Sequence, residues 1–202
     1  MSEAKIIDIT PDLLNDAVDC QVKAFLPDPI FEYFFPDPAT REQKMRIVFD
    51  SGCRYRFMTG LPCLGLLLDG QIVGVANVTT PDEVTKTEEV DQLWEQVGIA
   101  LGPEADERFE KYQALKAKHS PAVPHHYLVS LSVRPGFQGQ GLGGQLLEAV
   151  CRLADVHPTS QATVLDTGTE LNVKFYKKHG FQTIGEGDLD GVPGYWMLRN
   201  ST

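Results

Sequence analysis

The sequence predicts a layered α/β domain, and three observations carry that expectation. Short apolar, β-branched runs alternate with segments of helical periodicity. Asp69-Gly70 joins two such runs, Leu64 to Leu68 and Ile72 to Val78, which is a strong short-range hairpin signal. A glycine-dense stretch links the run Tyr127 to Val133 to a helical pattern at Leu142, Leu146, Leu147, Val150 and Leu153. The predicted order is β-α-α-β-β, a helical insert, then β-α-β-α-β-β.

Lys5 to Ile9 alternates polar and apolar residues and predicts a strand. Thr10 and Pro11 then suit the N-cap and first position of a helix carrying Leu13, Leu14, Ala17, Val18 and Val22, which stops before Pro27. Residues 27–38 are dense in proline and aromatics. They predict a loop or short helical turn that either packs as core or walls an apolar binding site. A second helix is expected over Thr40 to Phe57, ended by Gly60-Leu61-Pro62. The acidic stretch Thr79 to Ser120 predicts two helices inserted between strands and broken at Gly102-Pro103. Thr163 to Leu165 predicts a short strand, and Asn172 to Lys178 a helix stopped at Gly180. Phe181 to Ile184 and Tyr195 to Leu198 predict the last strands, around a turn from Gly185 to Gly194.

The chain has 202 residues and a net charge of -10. That length suits one domain over 1–202, with the helical insertion at about 80–120. The negative charge argues against a nucleic-acid partner, which wants a basic face. Cys20, Cys53, Cys63 and Cys151 lack metal-type spacing and are expected to be buried thiols, so no metal is predicted. Met1 to Lys5 shows no apolar leader and no window reaches a membrane span, so a cytoplasmic address without a membrane partner is expected.

The stretch from Gln138 to Gly144 organises the chain. Its four glycines in six residues, Gly139 to Gly144, open a helix whose first N–H groups lack intrahelical partners at the positive end of the macrodipole. This predicts a pyrophosphate cradle. Gly139-x-Gly141-x-x-Gly144 also matches the dinucleotide fingerprint, with Asp166 about 20 residues on. Two features oppose a nicotinamide-dependent oxidoreductase. Arg134 to Gln138 separate strand from glycines, and only about 60 residues follow, too few for the rest of a doubly wound sheet. The Gly-Lys-Ser/Thr of a nucleotide phosphate loop is absent.

Gln138-x-x-Gly141-x-Gly143, after a strand ending in Val133-Arg134-Pro135, resembles the acetyl-CoA-binding signature of the Gcn5-related N-acetyltransferase (GNAT) family. Downstream, Asn172 to Phe181 resembles that family's Asn-x-x-x-Tyr…Gly-Phe segment, with Tyr176 as its tyrosine. Within the family the chain is similar to the small-molecule acetyltransferases of the puromycin branch. The resemblance implies the GNAT acyl-CoA N-acyltransferase fold: a mixed central sheet flanked by helices, with the helical insertion before the acetyl-CoA-binding strand. It further implies acetyl-CoA as cosubstrate and a small-molecule amine as acceptor. Backbone groups of Gln138, Gly139, Gln140, Gly141, Leu142 and Gly143 would hold the CoA pyrophosphate. Gly144 would let the helix pack close to its strand. Leu131, Ser132 and Val133 would pair with the pantetheine arm, and Asn172 would contact CoA. Arg134, Lys174, Lys177 and Lys178 are candidates for phosphate steering.

Transfer to an amine requires a proton to leave the ammonium and another to reach the departing thiolate. Tyr176 is the candidate acid, since a phenol with an ordinary pKa of about 10 keeps its proton at neutral pH. For the base, His126, Tyr127, Glu32 and Asp166 all remain open, as does an ordered water. His126 reads more readily as a surface histidine. Asp28 and Glu32, among aromatics, are candidates to neutralise an ammonium substrate. A non-catalytic acyl-CoA sensor has no need of the tyrosine motif. The strand Tyr195 to Leu198 offers an edge for a second subunit, leaving monomer and homodimer open.

Overall fold

The computed structural model describes residues 4–202. The first strand, β1 (Lys5–Asp8), leads through a 3-10 turn at Pro11–Leu13 into α1 (Leu14–Phe25). Thr10 does not cap this helix; its hydroxyl donates to Asp12 instead, at 2.6 Å. The proline- and aromatic-rich segment forms α2 (Pro29–Phe34). Asp28 caps it by accepting from the Ile30 N–H at 2.9 Å, and Pro29 occupies its first turn. The next helix, α3 (Pro38–Thr59), starts at Asp37 in the same way and ends at Gly60, whose φ of 72° closes the last turn.

The hairpin of β2 (Cys63–Leu68) and β3 (Gln71–Thr79) turns at Asp69-Gly70, both with positive φ, as a twisted two-residue connection demands. The insert is two helices, α4 (Glu88–Leu101) and α5 (Pro103–His119), separated at Gly102 as expected. Next come β4 (His125–Val133), α6 (Leu142–Val156), β5 (Ala162–Thr167) and α7 (Glu170–Lys178). The chain closes with β6 (Gln182–Leu189) and β7 (Val192–Asn200).

The strands form one seven-stranded sheet in the order β1-β2-β3-β4-β5-β7-β6. Only β4 and β5 run parallel, so the sheet is mixed and helix-flanked. One face carries α1 and α3, with Ala17, Cys20, Met45, Phe49, Ile72 and Val75 in its core. The other carries α6 and α7, with Ala76, Val78, Leu146, Val150, Val173 and Tyr176. All four cysteines are free and buried. No helix among the described residues is long and apolar enough to cross a membrane.

Two expectations at the C-terminus are corrected. The span from Gly185 to Gly194 is not a turn: β6 and β7 run through it and reverse at Asp190-Gly191. Its glycines serve close packing, because a Cβ at Gly185 would strike the His119 ring and one at Gly187 would lie 3.1 Å from Leu115 and Trp196. They let α5 lie directly on the hairpin. Second, Tyr195 to Leu198 is no edge: β7 is paired with β5 on one side and β6 on the other. The sheet edges are β1 and β6.

The parallel ladder between β4 and β5 is short. It runs only from His125↔Ala162 to Leu128↔Leu165, while β4 continues to Val133 beside β3 alone. Beyond Leu165, β5 follows β7. The two strands therefore part, and Val129 to Val133 have no strand partner on that side among the described residues. A register shift at Asn77/Val78 leaves Val129 without an opposite residue on β3, a bulge at the point of parting.

Candidate active site

The parting of β4 and β5 places three features together. The first is the glycine loop. Gly136, Gly139 and Gly141 have φ of 89°, 76° and 80°, and Gly141 is the residue before α6. Among the described residues, the N–H groups of Gln138 to Gly144 donate to no protein acceptor, whereas that of Gln145 closes the first helical bond, to Gly141, at 3.2 Å. The side chains of Gln138 and Gln140 turn back to brace the loop, on the carbonyls of Val133 (2.9 Å) and Gly136 (3.1 Å). The result is a row of free amides at a helix start with no side chain in front of them, which suits a pyrophosphate. Gly141→Ala is expected to cost about 1–2 kcal/mol of stability through the left-handed φ alone, since its added Cβ would meet nothing. Loosened loop geometry should also raise the KM for acetyl-CoA, which steady-state kinetics and urea melts would measure separately.

Two expectations about this loop are revised. A Cβ at Gly144 would lie 2.9 Å from the His179 ring, so this glycine admits the end of α7 and not the strand. At the strand side, Gly74 of β3 does that work: its Cβ would lie 3.1 Å from the Ser132 carbonyl oxygen and 3.4 Å from Leu146. Arg134 is not a phosphate ligand. It is 6% exposed and turned inward, donating to Asp16 Oδ1 and Asp19 Oδ2 at 2.6 Å each and to the carbonyl of Ile72 at 3.1 Å. A guanidinium whose backbone leaves a strand end beside α1 finds two carboxylates one turn apart, and that stronger field takes it. Although partial burial pushes Asp19 up, hydrogen bonds from Lys23, Arg134 and Arg46 hold it at about 2. The pairing therefore stabilises the fold above the ordinary carboxylate range, and that stabilisation is lost as pH falls toward 2. Arg134→Met is expected to cost about 2–3 kcal/mol in urea unfolding, less than for a fully buried pair because both aspartates reach solvent. Lys174, Lys177 and Lys178 do lie exposed on α7.

The second feature is a cavity of about 480 Å³. Its walls come from the aromatic helix α2 (Ile30, Phe31, Phe34), from α3, from the insert (Trp94, Val97, Phe109, Tyr112, Leu115) and from β4 (Leu128 to Leu131). The proline-rich segment is thus both core and wall: Phe31 and Phe34 are buried and also face the cavity. Phe34 stacks on Phe109 with centroids 4.2 Å apart, which fastens the insert over the sheet.

The third feature is the set of polar groups in that cavity. Asp166, at the end of β5, accepts on Oδ1 from the Tyr112 hydroxyl at 2.9 Å and from the Tyr127 hydroxyl. Neither bond uses Oδ2. The ammonium of Lys116 lies 3.5 Å from the centroid of the Tyr127 ring. Burial pushes Asp166 above the ordinary carboxylate range, against the bonds from Tyr127 and Tyr112 and the charge of Lys116. Burial, helped by the Asp166 charge, drives both tyrosines far up, so they remain donors. Tyr176 lines the same cavity at 8% exposure, and burial, then Asp166 and Asp28, raise its pKa. Asn172, in the first turn of α7, also faces it and donates to Thr167 Oγ1 at 3.1 Å. Asp28 lines it too, and burial raises its pKa.

The other side-chain candidates for the base sit in different surroundings. His126 is not a surface residue; it is 1% exposed, its Nδ1 is 2.8 Å from Ser160 Oγ, and burial lowers its pKa to about 4. Its ring packs against His157, centroids 5.1 Å apart, at the start of β4, remote from the glycine loop that follows the strand's other end. Glu32 is exposed and paired with Arg41 at 3.0 Å. Tyr127 is spent as a donor to Asp166. Tyr112 and Lys116 were not singled out from sequence, since on α5 they carry only the pattern of an amphipathic helix.

The family model described as acetyltransferase (GNAT) family matches residues 24–181. The chain belongs to that family. It is therefore an acyltransferase of the GNAT fold, in agreement with its sequence resemblance. Among solved structures it is similar to a Corynebacterium glutamicum protein described as histone acetyltransferase HPA2 and related acetyltransferase, at 24% identity over 100% of this chain and 98% of that one, with a TM-score of 0.72. Arylalkylamine N-acetyltransferase 2 from Aedes aegypti shares the fold at 15% identity, 99% and 100% coverage and a TM-score of 0.66. So does the PaiA N-acetyltransferase of Thermoplasma acidophilum, solved in complex with coenzyme A, at 12% identity, 98% and 99% coverage and a TM-score of 0.60.

Proposed function

We propose that residues 1–202 form one cytoplasmic acetyltransferase domain that moves an acetyl group from acetyl-CoA to the primary amine of a small molecule by direct attack. The observation that carries this reading is continuity. The unpaired length of β4 lines the cavity holding Asp166 and Tyr176 and runs on into the free amides of the glycine loop, so a thioester seated in the strand gap would open onto a mostly apolar chamber. Coenzyme A supplies the activated acyl group and a thiolate leaving group.

In this reading the amides of Gln138 to Gly143 neutralise the pyrophosphate, which an acidic chain can do without added side-chain charge. Backbone groups of Leu131 to Val133 hold the pantetheine arm as a strand would, and Asn172 steadies it. Asp166 takes the proton from the incoming ammonium on Oδ2, the oxygen the tyrosines leave free. The freed amine would attack the thioester carbonyl as the C–S bond breaks; the Tyr176 hydroxyl would give its proton to the departing sulfur and recover one from the acylated nitrogen, so that the second amine proton ends on the thiol. The aromatic walls select an acceptor with an apolar body. The test is CoA release from acetyl-CoA across a panel of arylalkylamines, polyamines and amino acids. Acetyl-CoA that binds tightly without CoA release on any acceptor would replace catalysis with an acyl-CoA sensor.

A further inference from the structure

Arg56, in the last turn of α3, is 5% exposed and lines the cavity. Its Nη1 donates to the Gly52 carbonyl at 2.7 Å, and Gly52, one turn earlier, leaves the guanidinium room to lie against its own helix. Its Nε is buried and has no hydrogen-bond partner, and no carboxylate lies within ion-pairing distance among the described residues. Burial lowers its pKa, against the Cys63 and Cys53 thiols and the Tyr55 phenol, and Lys116 is a second cation within its field. The comparison with Arg134 is decisive: the chain's other deeply buried guanidinium is paired with two aspartates. A buried cation without a counter-charge is costly to hold. The fold bears that cost at a cavity wall.

Further polar groups line the same cavity. Asn77 and Ser130 are among them, and Asn77 Nδ2 donates to Ser130 Oγ at 3.0 Å. The Ser130 hydroxyl hydrogen has only a long contact, 3.4 Å, to Gln21 Oε1. An oxyanion in this cavity would meet the outer nitrogens of the Arg56 guanidinium, since Nε itself is buried. Elsewhere in the same cavity stand Asp28 and Asp166, which suit an ammonium. The chamber therefore has a cationic and an anionic region, matched to an acceptor carrying both charges.

Resting on the acetyltransferase reading above, we propose that Arg56 anchors a carboxylate on the acceptor, so that the substrate is an amine bearing an acid group. A carboxylate fits better than a monopole because its two oxygens match the guanidinium fork. Its arrival supplies the missing counter-charge.

The test compares matched acceptors with and without the acid: phenylalanine against 2-phenylethylamine, and 4-(aminomethyl)benzoate against 4-methylbenzylamine. For the wild type, kcat/KM should favour the acid-bearing member of at least one pair by about ten- to a hundredfold, the usual strength of a charge-assisted bond. Arg56→Met should abolish that preference and leave the rate on the acid-free amine within about threefold. Arg56→Gln keeps a polar group and serves as a second variant if the first fails to fold. Equal kcat/KM within both pairs for the wild type would overturn the inference and leave the acetyltransferase reading standing. An equal loss on both members in Arg56→Met would do the same. If no amine is acetylated, the acetyltransferase reading fails and binding decides this one separately. 4-(Aminomethyl)benzoate should then raise the melting temperature of the CoA-saturated wild type but not of Arg56→Met, and no rise in either would end it.

Discussion

Replacing Tyr176 with phenylalanine is expected to lower kcat by about 100-fold or more while the Kd for acetyl-CoA changes by less than about twofold. The split follows from where the hydroxyl sits. The ring is held by Phe175 and Phe181, with centroids 5.1 and 5.7 Å away, and a phenylalanine keeps both contacts. Among the described residues the hydroxyl donates to no protein group, so its removal leaves no orphan and no distortion of α7. The glycine loop, which carries the pyrophosphate in this reading, is untouched. What disappears is a donor for the departing sulfur, a group whose charge develops only as the C–S bond breaks. An interaction made only in the transition state lowers kcat and not ground-state affinity. The raised pKa of Tyr176, caused first by burial and then by Asp166 and Asp28, keeps the proton on the phenol across the working range. No basic limb from this residue should therefore appear near neutral pH. A variant with unchanged kcat would remove Tyr176 from the chemistry.

The parts of this site that sequence made legible are those built from backbone. A glycine run permits positive φ and a free helix start from local chemistry alone, so the unpaired amides of Gln138 to Gly143 are legible in the sequence. The Asp69-Gly70 hairpin, and the break of the insert at Gly102, were legible for the same local reason. Long-range pairing was not. Arg134 read as a free cation beside phosphate because nothing local in the sequence says that α1 brings Asp16 and Asp19 beneath it. His126 read as a surface residue because its partners, Ser160 and His157, lie more than thirty residues away. Gly185 and Gly187 carried the signature of a turn, while their reason is the footprint of α5, and Gly194 makes room for the Trp196 ring. The same limit hid Tyr112 and Lys116, whose significance is entirely that β5 ends beneath them.

Asp166→Asn is expected to have the second large effect, and stability should move opposite to activity. Its carboxylate lines the cavity on a tyrosine scaffold that uses Oδ1 and leaves Oδ2 without a tyrosine partner. Loss of the base should lower kcat/KM for the amine by about 100-fold or more, with acetyl-CoA affinity nearly constant. In the wild type, part of the acid limb of the kcat/KM profile should follow Asp166 and lie above the ordinary carboxylate range, because burial raises its pKa. In the variant that part should vanish, leaving the ionisation of the acceptor amine. Stability runs the other way by linkage. A carboxyl whose folded pKa is raised binds its proton more tightly in the native state. Its contribution is fully present below the unfolded pKa of about 3.9 and is lost as pH rises through the folded pKa. At neutral pH the wild type therefore carries an ionised group that burial disfavours, whereas asparagine carries no charge and still offers Oδ1 to Tyr112 and Tyr127. Thermal melts from about pH 4 to 8 should show the variant gaining on the wild type as pH rises. A variant that is less stable than the wild type at neutral pH would mean that the tyrosine bonds outweigh burial. A variant with unchanged kcat/KM would return the base to solvent water, with Asp166 serving only to fix the two tyrosines under α5.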